Sequence, residues 1–241
     1  MKPQVHYQDL GRIAYQAAWD YQTTLHKALI ARKLRNRDEG TAETQEHFLL
    51  FCDHQHVYTL GKSGSLDHLL LSETEMLEKN IEFFKINRGG DITYHGPGQI
   101  VAYPIFDLDC FFNDVHQYVR FLEEAIILTL REYELDPIRL EGFTGVWFAE
   151  KDGLPKRKIC AIGVHLSRWV TMHGFAFNVK SDLQYFRYIV PCGIDDADKD
   201  VTSLEAELGR TVDIEEVKEK VKRHLAALFG FDFQYSEAVR P

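Results

Sequence analysis

The sequence predicts an α+β fold, a mixed or antiparallel sheet flanked by helices. Strand-like runs outnumber helical ones. Two long helices flank a strand-rich middle, and no regular βαβ alternation is visible. The chain has 241 residues, which fits a single domain over 1–241 with 200–241 as a candidate small C-terminal lobe.

The elements follow in order. Ala14, Ala18, Tyr21, Leu25 and Leu29 recur at three- and four-residue steps, predicting a helix over 14–34. The polar stretch 32–45 reads as a helix end running into a loop. Short strands are expected at 47–52 and 56–61. Ser72 with Glu75 forms a capping-box pattern for a helix over 72–80. A β-like run at 83–87 leads into a Gly-rich segment, 88–99, and then a buried strand at 100–106. Val115, Val119, Leu122, Ile126 and Leu130 make the apolar stripe of a helix over 114–133. Strands are expected at 145–149, 158–165 and 169–179, the last two as a hairpin around Leu166-Ser167-Arg168. Thr202 with Glu205 suggests a second capping box, for a helix over 203–208. Ile214, Val217, Val221, Leu225 and Leu228 share one face of a last helix over 214–229.

Composition narrows the function. Hydrophobic residues are 45% and charged residues 27%, the balance of a soluble globular protein. A net charge of −9 with no basic stripe argues against nucleic acid as a partner. An acidic protein partner would need a local basic patch, and Lys156 and Arg157 are candidates by position. No apolar run is long enough to span a bilayer and the N-terminus carries no signal-type segment, so the expected setting is the cytoplasm, with no membrane partner. Cys52, Cys110, Cys160 and Cys192 are widely spaced, which suits buried or reactive thiols rather than a disulfide framework.

Three segments bear chemistry. Residues 88–99, RGGDITYHGPGQ, place four glycines and a proline among Arg, Asp, Thr, Tyr and His. Glycine lets the backbone approach a ligand, and the same composition also makes a tight turn between strands. Pro191-Cys192-Gly193 sets a thiol on a turn, either as a nucleophile or as a small apolar residue at a strand end. Lys158 begins an apolar strand. A lysine buried beside a thiol favours the thiolate, which is the nucleophile. Strand alternation puts Cys160 on the face of Lys158, so local spacing selects Cys160 as its partner. His54 and His56 beside Asp53, and His165 and His173 on facing strands, are metal-ligand candidates, but spacing sets no third ligand.

Taken together, the ordered segments closely resemble the lipoyl(octanoyl) transferases of lipoate biosynthesis. The residues that carry the likeness are His56-Val57-Tyr58-Thr59-Leu60-Gly61, the run Arg88–Gln99, and Lys158 with Ala161-Ile162-Gly163. They continue with His173-Gly174-Phe175-Ala176 and Asn178, Val190-Pro191-Cys192-Gly193-Ile194, and Thr202-Ser203-Leu204. The resemblance covers roughly residues 45–210. It implies a biotin/lipoate protein ligase-like domain, related to the class II aminoacyl-tRNA synthetase catalytic domain. It also implies transfer of octanoyl from octanoyl-acyl carrier protein to a lysine of lipoyl domains, those of 2-oxoacid dehydrogenase complexes and of the glycine cleavage H protein. On that resemblance Cys192 carries the acyl-thioester and Lys158 is its acid–base partner. Arg88, Gly89, Gly90, Asp91, Ile92, Thr93, Tyr94 and His95 would line the acyl site, with Ala161, Ile162, Gly163, Gly174, Phe175 and Ala176. No metal or cofactor is implied, and a monomer is expected. An ATP-dependent ligase of the same fold and a non-catalytic lipoyl-domain binding module are the competing readings. Cys160 stands where the family usually has a small or apolar residue.

Overall fold

The computed structural model describes residues 2–191 and 198–235. In chain order come β1 (Gln4–Arg12), α1 (Tyr15–Glu39), β2 (His47–Asp53), β3 (Val57–Leu60), α2 (Glu73–Glu78), β4 (Glu82–Lys85), β5 (Ile92–His95) and β6 (Gln99–Ile105). Then follow α3 (Val115–Arg131), β7 (Ile138–Leu140), β8 (Phe143–Phe148), β9 (Lys156–Ser167), β10 (Val170–Asn178), β11 (Lys199–Val201), α4 (Leu204–Leu208), α5 (Ile214–Phe229) and β12 (Asp232–Tyr235).

Nine of the described strands form one mixed sheet, in the order β12-β1-β2-β6-β10-β9-β8-β7, with β11 beside β9. The pairs β1–β2, β1–β12 and β9–β11 are parallel and the others antiparallel. A smaller sheet, β4-β3-β5, stands apart from it. This is the α+β arrangement expected from the sequence.

Helices cover both faces of the large sheet. On one, α3 and α5 pack together over a core that includes Leu49, Phe51, Ile100, Phe175 and Phe177. Val217, Val221, Leu225 and Phe229 of α5 belong to that same core. Burying such a side chain fully contributes about 1.5–3 kcal/mol, which is why helices with only one apolar stripe settle here. On the other face, α1 lies over β10 and β6. Its buried stripe is Tyr15, Ala18, Gln22, His26 and Leu29. Two of these are polar, which the apolar periodicity could not assign. They are buried because each bonds the backbone of β10: Gln22 Oε1 accepts from His173 N at 3.1 Å, and a ring nitrogen of His26 lies 3.2 Å from Val170 O.

Several boundaries differ from the sequence reading. Helix α1 runs on to Glu39 and ends at Gly40 in the left-handed conformation, because the charged residues after Ala31 are good helix formers. The capping box at Ser72 is present with both reciprocal bonds. The one assigned to Thr202 is not: Ser203 caps α4 by accepting from Ala206 N, while Thr202 Oγ1 donates to Glu207. The β9–β10 hairpin turns on Arg168 and Trp169, both at positive φ, one step later than expected. Strand β1 has Val5 buried and pairs on both edges, and it falls in a stretch for which the sequence reading gave no element.

A change of register in β9 matters most for the site. The β8–β9 pairing runs Val146↔Cys160 and then Trp147↔Lys158, so β9 carries one extra residue there. Ile159 and Cys160 therefore both turn into the α3/α5 core, each fully buried. Alternation is broken, and Lys158 no longer shares a face with Cys160.

Candidate functional site

A cavity of about 340 Å³ opens among β5, β9, β10 and the 88–91 loop. That lies at the lower end of the range for small-molecule sites. Arg88–His95, Ala161–Gly163, Gly174–Ala176 and Lys158 all line it. Pro191, the residue before Cys192, lines it too. Cys192, with Gly193, lies outside the described residues. Tyr15, Tyr103, Val119 and Phe143 complete parts of the wall, and sequence reasoning had not assigned them to the site. They come from elements distant in the chain, and no local motif marks them.

Glycines bring the 88–91 loop against the strands. A Cβ on Gly163 would stand 2.8 Å from Arg88 Cδ and 3.0 Å from Gly89 O. One on Gly61 would meet Gly90 O at 2.2 Å. The Arg88 side chain is buried and donates to Thr59 O at 2.7 Å, Thr59 Oγ1 at 3.0 Å and Gly89 O at 2.9 Å. The Gly89 amide in turn donates to Val164 O at 2.9 Å. The loop is thus bonded to both β3 and β9, which is more than a turn between strands requires.

The Lys158 ammonium lies over the Trp147 ring. Its backbone carbonyl accepts from Thr202 N at 2.9 Å. Asn178 Nδ2 donates to Thr202 O at 3.0 Å, and Asn178 Oδ1 accepts from Gln99 Nε2 at 2.9 Å. Gln99 Nε2 also donates to Tyr94 O at 3.0 Å. One chain of hydrogen bonds therefore runs from the 88–99 segment to the backbone of Lys158. Lys156 pairs with Asp198, and Arg157 is held by two bonds to Glu207. Arg157 is nearly buried, so it offers no docking charge.

Asp91 is fixed by Ile92 N, which donates to Oδ1 at 2.7 Å, and its Oδ2 pairs with His68 Nδ1. The His68 carbonyl accepts from Val190 N at 2.8 Å, and Leu70 N donates to Tyr188 O at 2.9 Å. Residues 68–70 thus hold the chain that leads into Pro191.

Burial favours the neutral form of His54, His95 and His173. Burial, followed by the Arg88 charge, pushes His173 down to about 3. Burial pushes His54 down to about 4. His95 falls well below its ordinary value through burial, then the effects of His54 and Arg88. His54 bonds Ile13 O and the Tyr103 hydroxyl, His56 bonds the Tyr94 hydroxyl, and His173 bonds Asn87. No group of three or more His, Cys, Asp or Glu able to hold a metal ion occurs among the described residues. No helix among them is long and apolar enough to cross a membrane.

Cys160, selected by local spacing, is not part of the cavity wall. Burial, then the charge of Glu123, pushes its thiol well above the ordinary range, against a smaller opposite effect of Lys158. A thiol so placed is a core residue, not a ready nucleophile.

Comparison with known proteins adds the following. The family model described as the lipoyl protein ligase A/B catalytic domain matches residues 14–226. An octanoyltransferase of Cytophaga hutchinsonii is 57% identical over 224 residues, 92% of this chain and 91% of the relative. One of Christiangramia forsetii is 54% identical over 237 residues, 98% of this chain and 100% of the relative. Among solved structures, a bi-partite lipoate protein ligase from Thermoplasma acidophilum superposes with a TM-score of 0.69 at 16% identity, covering 100% of this chain and 89% of that one. A lipoate-protein ligase A bound with ATP gives 0.68 at 15% identity, covering 100% and 91%. At those identities the structural likeness speaks to the fold alone.

Proposed function

Because the chain belongs to the lipoyl protein ligase A/B catalytic-domain family, we propose that it is an octanoyltransferase of lipoate biosynthesis. In this reading it takes octanoyl from octanoyl-acyl carrier protein, holds it as a thioester on Cys192, and delivers it to a lysine of a lipoyl domain. Lys158 is the acid–base partner. The protein works as a monomer in the cytoplasm and needs no resident cofactor. The observation that carries the reading is the convergence on one cavity of Lys158, the run Arg88–His95, Ala161–Gly163, Gly174–Ala176 and the residue before Cys192. The names of relatives above half identity over nine-tenths of the chain point the same way.

The chemistry is consistent. Octanoyl arrives already activated as a thioester, so attack by the Cys192 thiolate exchanges one thioester for another. The Lys158 ammonium favours the thiolate and then gives its proton to the departing carrier thiolate. Lys158 is left neutral and able to accept a proton from the incoming amine. The apolar part of the cavity would measure the acyl chain at about 0.8 kcal/mol per buried CH₂.

The test is intact-mass spectrometry after mixing with octanoyl-acyl carrier protein, without ATP. The expected result is one octanoyl mass, removed by hydroxylamine, absent from Cys192→Ser and kept in Cys160→Ser. An adduct that survives Cys192→Ser would overturn the assignment. Activity only with free acid and ATP would favour the ligase reading, and carrier or lipoyl-domain binding without any adduct the binding-module reading. Lys158→Ala should acylate slowly and recover in part at high pH.

A further inference from the structure

The register of the large sheet gives the cavity a direction. Lys158 lines one end of it. The Lys158 carbonyl accepts from Thr202 N, and Asn178 joins Thr202 O to Gln99. Gln99, Val101 and Tyr103 occupy alternate positions of β6, so they share one face of that strand, and all three line the cavity. Tyr103 is the farthest of them from Gln99, about 13 Å along the strand at roughly 3.3 Å per residue. We infer that Tyr103 is the stop that sets the longest acyl chain the cavity accepts. The inference rests on the acyltransferase reading above, in which the reacting carbonyl sits at the Lys158 end.

Among the described residues, the cavity ends on one line across three strands. Tyr103 of β6, His173 of β10 and Val164 of β9 line it, and His173 pairs directly with Val164. The next residues of each strand, 104–105, 171–172 and 165–166, do not line it. One step nearer Lys158, the cross-strand partners Gly163 and Gly174 carry no side chains. Another step nearer, Ala161 pairs with Ala176, and Ala176 with Val101. A chain lying over these small residues therefore meets the Tyr103 ring as the first large side chain on that face of the sheet.

The ring is also held in place. Tyr103 is buried, and its hydroxyl lies 2.7 Å from His54 Nε2, while His54 Nδ1 lies 2.9 Å from Ile13 O. A backbone carbonyl only accepts, so Nδ1 donates to it and Nε2 accepts from the Tyr103 hydroxyl. His54 is itself fully buried and packs against the Tyr15 ring, with centroids 5.2 Å apart. Tyr15 also lines the cavity, so one histidine braces two tyrosines of its wall. A wall braced from behind does not yield cheaply to extra methylenes, because overpacking forces side chains off their preferred rotamers.

The experiment reads chain length on the full chain. The enzyme is mixed with acyl carrier protein bearing hexanoyl, octanoyl or decanoyl groups in competing pairs, and intact-mass spectrometry counts the adducts. The wild type should favour octanoyl over decanoyl. Tyr103→Ala should raise the decanoyl-to-octanoyl ratio by roughly fifteenfold, because each of two further buried methylenes is worth about fourfold, the equivalent of about 0.8 kcal/mol. Tyr103→Leu should move the ratio the same way by less. Ala161→Val fills space nearer Lys158 and should raise the hexanoyl-to-octanoyl ratio by roughly fourfold. The urea midpoint checks that the Tyr103 variants are folded, and Ala161→Val tests the same axis without emptying the core. An unchanged decanoyl-to-octanoyl ratio in a folded Tyr103 variant rules Tyr103 out as the stop, and so does an unchanged hexanoyl-to-octanoyl ratio in Ala161→Val. Absence of any adduct on the wild type, whatever the chain length, would instead sink the acyltransferase reading on which the inference rests.

Discussion

The Lys158 ammonium stands 4.6 Å from the centre of the Trp147 ring, its cross-strand partner in the β8–β9 pair. A cation over an indole face gains about 0.5–2 kcal/mol, more where water is kept away. Trp147 is fully buried, and its Nε1 has no hydrogen-bond partner among the described residues. A ring held there at the expense of an unbonded donor is worth keeping for its face. We expect Trp147→Leu to slow formation of the octanoyl adduct by roughly tenfold, the rate equivalent of about 1.4 kcal/mol. Trp147→Phe should retain most of the rate, since it keeps an aromatic face. Single-turnover acylation followed by mass spectrometry reads both. A wild-type rate in Trp147→Leu would show that the ring does not serve Lys158.

Cys160 provides the converse case. It is a fully buried core residue on the far side of the bulge from Lys158. Cys160→Ala should leave the acylation rate unchanged while costing about 1–2 kcal/mol of stability from the small cavity it leaves. In the native protein its thiol should resist alkylation until the chain unfolds. Rapid modification of Cys160 by iodoacetamide under native conditions would contradict the register described here.

The bulge also explains what the sequence could and could not tell. The strands and helices with strong periodicity, such as 114–133 and 214–229, are found close to where apolar spacing put them. One extra residue in β9 inverts the face of every side chain before it, so counting by twos from Lys158 led to Cys160. Gln22 and His26 break an apolar stripe because they bond β10, contacts across 151 and 144 residues. Tyr15 and Phe143 reach the cavity only once β1, α1 and β8 have been placed around it. The 88–99 loop was legible because its residue types are unusual in combination.

Two glycines should respond differently to substitution. A Cβ on Gly174 would stand 2.2 Å from the carbonyl oxygen of Ala102, inside the β6–β10 pair. Backbone cannot step aside there, so Gly174→Ala should destabilise the fold by roughly 2–3 kcal/mol. A Cβ on Gly163 first meets the Arg88 side chain, and then Gly89 O at 3.0 Å. Gly163→Ala should therefore cost less stability than Gly174→Ala but raise the KM for octanoyl donor, because the 88–90 loop that lines the cavity must shift. Urea denaturation together with steady-state kinetics distinguishes the two. Equal stability losses would mean that the loop is as rigid as the sheet.

Asn178 joins the 88–99 segment to the strand that carries Lys158, accepting from Gln99 and donating to Thr202 O. Asn178→Asp removes the donor and places a carboxylate at the buried Thr202 carbonyl, a repulsive contact. We expect a stability loss of about 1–3 kcal/mol for the unsatisfied group. The acylation rate should fall as well, because Thr202 N holds the Lys158 carbonyl. Asn178→Asp with normal stability and a normal acylation rate would show that Lys158 is held without this chain of bonds.

Acid should unfold the protein through its buried histidines. His173 is pushed down to about 3, and His47 and His54 to about 4, in each case chiefly by burial. In the unfolded chain each takes a proton near the ordinary value of about 6.5. Above that pH both states hold these rings neutral, and the three contribute no slope. Between 6.5 and 4 the unfolded state binds more protons than the folded one, so stability falls as pH falls. Each fully unbalanced histidine contributes a slope of about 1.4 kcal/mol per pH unit. Carboxylates held low, such as Glu132 at about 2, add their own loss as pH falls from the ordinary carboxylate value toward 2. The urea midpoint should therefore be flat from pH 8 to 7 and decline steeply from 6 to 5. Replacing His47 with Gln should reduce that decline by up to one proton's worth of slope, since this histidine packs edge-on against Phe106 and Phe111 and away from the cavity wall. A midpoint that stays level down to pH 5 would mean that these rings already carry their protons in the folded protein.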